Sequence, residues 1–124
     1  MDKATTKELL EFILRSITLI KRRFKGIKRA DDFLDNEEGI DKLDAISIRI
    51  QAIGEAIKNI DKRDRDFLLS VADKNYWSKI IKTREILTHH YINIDSEIIY
   101  MICNEKIDEL ERNIRELLDK LNKT

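Results

Sequence analysis

Residues 42–60 read KLDAISIRIQAIGEAIKNI, and their apolar positions Leu43, Ile46, Ile50, Ile53, Ile57 and Ile60 recur at alternating intervals of three and four. That rhythm returns side chains to one side of an α-helix, whereas a half-buried strand would alternate every second residue. The stretch predicts one helix over about 38–60, with a continuous apolar stripe that packs against other helices at a shallow angle.

The same rhythm lies on either side. Leu10, Ile13, Ile17, Ile20 and Phe24 predict a first helix over roughly 4–27, and Ile107, Leu110, Ile114, Leu117 and Leu121 predict a last one over about 95–122. Asp95 or Ser96 is placed to cap the last helix. Between the long helices, segment 65–72 reads as two turns of helix, Asp73-Lys74-Asn75 as a turn, and 76–89 as a further helix. Gly26 and the polar run 31–39 mark the first connection. The 124 residues contain no proline and three glycines, too few turn formers for a sheet protein of this length. The expectation is an all-α, antiparallel bundle of four to five helices forming one domain over 1–124. Ile48, Ile98, Ile99 and Ile102 widen the stripes, which fits either a broad core or surplus surface for a second copy of the chain.

Apolar residues make up 42% and charged residues 39%, a balance that suits amphipathic helices rather than disorder. No apolar stretch is long enough to span a bilayer, and Met1-Asp2-Lys3 opens without the apolar core of a secretion signal, so a cytoplasmic location is expected. Cys103 is the one cysteine and reads as a buried thiol. The net charge of zero conceals blocks: residues 1–29 sum to +6, 30–61 to −6, 62–91 to +3 and 92–124 to −3. Separate basic and acidic regions on one surface allow a local positive cleft for RNA. The cluster Lys21, Arg22, Arg23, Lys25, Lys28 and Arg29 is a solvated face or a track for RNA or a partner.

Chemistry-bearing residues concentrate in Arg84-Glu85-Ile86-Leu87-Thr88-His89-His90-Tyr91. Neighbouring histidines on a helix point about 100° apart and make a poor metal pair. No nucleophile motif or phosphate-binding glycine loop is present. Ile80, Arg84, Leu87 and Tyr91 share a face if the helix continues, while His89 stands about 140° round from Arg84. The pair converges if the helix breaks near Thr88 or if a second chain supplies its own residues. Histidine titrates near neutrality and is able to take a proton from a ribose 2′-hydroxyl, and arginine offers a permanent charge and forked donors to a phosphate. The plain structural alternative pairs Arg84 with an acidic neighbour and leaves the histidines on a solvated helix end.

Arg84-x4-His89-x-Tyr91 resembles the R-x4-H-x-Y motif of HepT toxins, a branch of the HEPN superfamily of helical ribonucleases. The segment Ile53-Gly54-Glu55-Ala56 is similar to that family's I-G-E-A helix, and Trp77-Ser78-Lys79-Ile80-Ile81 to its W-x-x-I-I entry to the motif helix. Tyr91-Ile92-Asn93-Ile94-Asp95 resembles the Y-x-x-I-D that opens the last helix, and Asp32-Phe33-Leu34 fits the first connection. The resemblance covers roughly residues 7–121. It implies a homodimer whose Arg84 and His89 pairs line one cleft, and a metal-independent endoribonuclease with no cofactor that attacks RNA through the 2′-hydroxyl. It further implies a toxin silenced by a partner of the MntA type, a minimal nucleotidyltransferase that transfers AMP to Tyr91. Glu85 departs from the family, where asparagine or another small polar residue is common. It would pair with Arg84, repel RNA, or hold the tautomer of His89, and with His90 it is a candidate assisting residue. The competing expectation is a catalytically inactive, dimeric helical partner of such a nucleotidyltransferase.

Overall fold

The computed structural model describes residues 3–89 and 95–123. Helices α1 (Lys3–Phe24), α2 (Glu37–Leu69), α3 (Lys74–His89), α4 (Ser96–Met101) and α5 (Ile107–Asn122) follow in order. A 3-10 turn, Ala30–Phe33, interrupts the first connection, and a π-helical turn, Ile102–Lys106, joins α4 to α5 without a break. No strand occurs among the described residues, and the fold is all-α. α2 packs against both α1 and α3, and α5 lies against α1.

The three stripes read from the sequence form the core. Leu10, Ile13, Ile17 and Ile20 of α1 are fully buried against Ile46, Ile57 and Ile60 of α2 and Ile114 and Leu117 of α5. Full burial of each such side chain contributes about 1.5–3 kcal/mol. The stripe ends are looser. Phe24 is half-buried and packs its ring 6.3 Å from Phe33 and 5.4 Å from Tyr100. Of the residues that widen the stripes, Ile99 is buried, Ile98 and Ile102 are half-buried, and Ile48 is 64% exposed. Cys103 is buried, and loss of solvation pushes its thiol up to about 12, as suits an inert core residue.

Boundaries moved where local signals competed. The helices expected at 38–60 and 65–72 meet at a kink at Asp64 and run together as α2, which ends at Leu69. No glycine or proline separates them. Non-helical angles occur only at Asp64 (φ −152°, ψ 58°), and Arg65 donates two 3.2 Å hydrogen bonds to Asp61 across that kink. The expected turn at Asp73-Lys74-Asn75 is the start of α3, because Asp73 Oδ1 accepts the Tyr76 amide at 2.8 Å as a helix cap. Asp95 caps α4 as expected, accepting from the Glu97 and Ile98 amides. Gly26, at φ +91°, sits in the left-handed region that lets the chain turn away from α1.

The turn from α2 to α3 decides where the motif helix lies. Trp77 is buried, and its indole nitrogen donates to the Leu68 carbonyl at 2.9 Å and to the Ala72 carbonyl at 3.1 Å. These bonds tie the start of α3 to the end of α2 and the turn after it, and the Leu68 carbonyl also accepts the Val71 and Ala72 amides. The indole bonds also fix the height at which α3 begins its course along α2.

Candidate active site

From Trp77 the inward face of α3 continues through Ile80, Arg84 and Leu87, at intervals of three, four and three. Arg84 thus occupies a seam position that is apolar elsewhere along the helix. α2 accommodates it with a glycine: a Cβ added at Gly54 would meet Arg84 Cβ, and would lie 3.0 Å from its Cγ and 3.4 Å from the Ile80 carbonyl. The arginine stem therefore lies directly on the α2 backbone. Its guanidinium then reaches the next residue of α2, with Nη2 2.7 Å from Glu55 Oε2.

That contact differs from the forked pair of Arg65 and Asp61. Glu55 Oε2 is shielded from solvent yet has no well-directed hydrogen bond among the described residues, so at 2.7 Å the attraction is one of charge. The two side chains are 27% and 47% exposed, and such a pair contributes at most about 1 kcal/mol to stability. One turn further along, Thr88 Oγ1 lies 2.9 Å from the Arg84 carbonyl and 3.2 Å from Gln51 Oε1, where its one proton serves either acceptor.

His89 and Glu85 are both exposed, in contrast to Arg84. α3 stays helical through His89, so the break near Thr88 that would bring His89 round to Arg84 does not occur. His89 is exposed on the last turn, about 140° from Arg84 about the helix axis. Glu85 is exposed and, among the described residues, is not the partner of Arg84. His90 and Tyr91 lie outside the described residues. Among the described residues no group of three or more His, Cys, Asp or Glu side chains is placed to hold a metal ion.

The basic cluster near the end of α1 is partly committed. Lys21 binds Asp108 at 2.7 Å and Glu111 at 2.6 Å, tying α1 to α5, and Glu111 also holds Arg115 at 3.0 Å. Hydrogen bonding to Asp108 and Glu111 raises the Lys21 pKa and lowers those of both carboxylates. Arg29 pairs with Asp31 at 3.1 Å. A separate groove of about 640 Å³ opens between α3, the π turn and α5, floored by Ile50 and Ile53 and rimmed by Ile86 and Met101. Neither Arg84 nor His89 lines it.

Gly54, Glu55, Gln51 and Thr88 were not expected to act at the site. The available signal was the pair Gly54-Glu55 within the I-G-E-A segment, a glycine beside an acid on an otherwise apolar helix face.

A helical bundle with an arginine set in its motif-helix seam and a histidine five residues on is of the HEPN type. This chain belongs to the HepT-like ribonuclease family, whose model matches residues 13–117. A relative from Caldanaerobacter subterraneus subsp. tengcongensis, named as a putative RNase, is 32% identical over 117 residues, covering 94% of this chain and 96% of the relative. A second, from Methanocaldococcus jannaschii, is named as a gamma-glutamylcyclotransferase and putative RNase. It is 31% identical over 117 residues, which cover 94% of this chain and 49% of that protein. No solved structure matches the chain.

Proposed function

We propose that the protein is a metal-independent endoribonuclease and the toxin of a toxin–antitoxin pair, acting through Arg84 and His89. The observation that carries this is the setting of Arg84: a guanidinium held where α3 crosses α2, in a chain of a ribonuclease family. His89 accepts the proton of a ribose 2′-hydroxyl as that oxygen attacks the neighbouring phosphorus. Arg84 stabilises the negative charge that builds on the phosphate oxygens. The 5′-oxygen leaves and takes a proton, so the products end in a 2′,3′-cyclic phosphate and a 5′-hydroxyl.

The unbroken course of α3 favours a site shared between two copies, since the two side chains leave one helix on different sides. In this homodimer the pairs of both chains line one cleft, where Arg84 of one chain works with His89 of the other. An antitoxin of the MntA class, a minimal nucleotidyltransferase, silences the enzyme by transferring AMP to Tyr91. The added nucleotide places bulk and negative charge two residues from His89 and repels the RNA backbone.

The competing reading, an inactive dimeric partner of such a nucleotidyltransferase, rests on Glu85. Arg84 pairs with Glu55 rather than Glu85, so a carboxylate still stands on the guanidinium, and Glu85 remains an exposed negative charge beside the site. Cleavage of cellular RNA in EDTA by unmodified protein, beside His89→Ala, tests the assignment. Cleavage by the parent alone supports it; equal cutting by the variant sinks it.

A further inference from the structure

Beyond letting α3 lie close on α2, Gly54 and its neighbour Glu55 add little to stability where they meet Arg84. The ion pair is partly exposed and adds little to folding, and a glycine inside a helix is a poorer helix former than alanine. Both features instead act on the same side chain. The missing Cβ at Gly54 lets the Arg84 stem lie on the α2 backbone, and the carboxylate one residue on meets its charged end at 2.7 Å. An arginine has several rotatable bonds, and two contacts at opposite ends of the stem remove most of that freedom.

We propose that Gly54 and Glu55 are positioning residues for Arg84, one seating its stem and the other holding its guanidinium; this rests on the ribonuclease reading of Arg84. The form of the contact matters. Arg65 commits its fork to Asp61 through Nε and Nη2, whereas Arg84 makes no such forked hydrogen bond to Glu55. The donors of Arg84 therefore remain available for an RNA phosphate while the group is held in place. Glu55 orients the guanidinium before substrate arrives, which is worth more in the transition state than a stronger pair that phosphate would have to break.

The test uses the full chain and two readouts. In NMR spectra of arginine side chains, with Arg84 assigned by the signal lost in Arg84→Lys, the parent shows hindered rotation of the guanidinium. Glu55→Gln, which keeps shape and loses charge, frees it. In RNA cleavage, Glu55→Gln lowers kcat by about 10- to 100-fold with KM little changed. Gly54→Ala lowers kcat in the same direction; should that variant fail to fold, Glu55→Gln decides alone. Unchanged guanidinium motion in Glu55→Gln overturns the proposal. So does cleavage at the parental rate or faster, which would make Glu55 a competitor of phosphate. If Arg84→Lys and His89→Ala cleave like the parent, the ribonuclease reading fails, and the NMR comparison still decides whether Glu55 fixes Arg84.

Discussion

The Trp77 indole nitrogen lies 2.9 Å from the Leu68 carbonyl, nine residues back across the turn, and this bond sets the register of α3 on α2. Seven residues on from Trp77, two helical turns, the same face presents Arg84 to Gly54 and Glu55. A structural tryptophan and the proposed catalytic arginine thus belong to one seam.

Replacing Trp77 therefore weakens both fold and site. Trp77→Phe keeps an aromatic ring but removes the indole donor; the Leu68 carbonyl keeps the Val71 and Ala72 amides while the Ala72 carbonyl loses its donor, at a cost of about 1 kcal/mol. Trp77→Ala costs about 3–5 kcal/mol. Urea denaturation of each variant measures the loss, and RNA cleavage under folding conditions shows whether a shifted α3 also lowers turnover.

A cleft shared between two chains predicts rescue between dead variants. Arg84→Ala and His89→Ala, each inactive alone, are to be unfolded together and refolded as a mixture. If Arg84 of one chain works with His89 of the other, mixed dimers contain one complete pair and cleave RNA. A mixture as silent as its components places both residues of each working pair in the same chain.

Modification by an antitoxin is read by mass. Co-expression with a nucleotidyltransferase of the MntA class adds the mass of one or more AMP groups to the parent and none to Tyr91→Phe, whose ring lacks the acceptor oxygen. The modified parent loses RNA cleavage, and removal of the AMP restores it. AMP found on another residue instead would release Tyr91 from this role.

The clasp of α1 on α5 gives a pH dependence with a defined sign. Asp108 and Glu111 have folded pKa values below their ordinary 3.8 and 4.5, chiefly through hydrogen bonds from Lys21. Their contribution is present above those ordinary values and is lost as pH falls through the lowered ones. The Lys21 pKa is raised above 10.5, so its contribution is complete below that value and is lost as pH rises through the raised one. Stability of the parent relative to Lys21→Met is thus flat near neutrality and narrows at both extremes. The gap is about 1 kcal/mol or less, since the pair lies at the surface. A gap constant from acid to alkaline pH would show that the clasp does not stabilise the fold.

Much of the fold was legible because its signals are local. The three-and-four spacing of Leu10, Ile13, Ile17 and Ile20, and of Leu43 through Ile60, names the buried faces before any helix is placed. The cap at Asp95 is equally local. The end of α2 was legible in part: apolar periodicity fades after Ile60 and the helix kinks at Asp64, but it resumes and runs on to Leu69. At the site, Arg84 and His89 stand out by type and spacing, whereas the distant partner of Arg84 does not.

By itself the sequence determined an all-helical chain, its buried stripes and a motif helix carrying Arg84 and His89, since each depends on residues within a turn or two of one another. Only the tertiary structure decided that Arg84 meets Glu55 rather than Glu85, that Gly54 makes room for it, and that Ile48 is left exposed. The first two outcomes join residues far apart in the chain and follow from the height at which α3 lies along α2, and the third from which face of α2 its neighbours cover; neither quantity is present in local spacing.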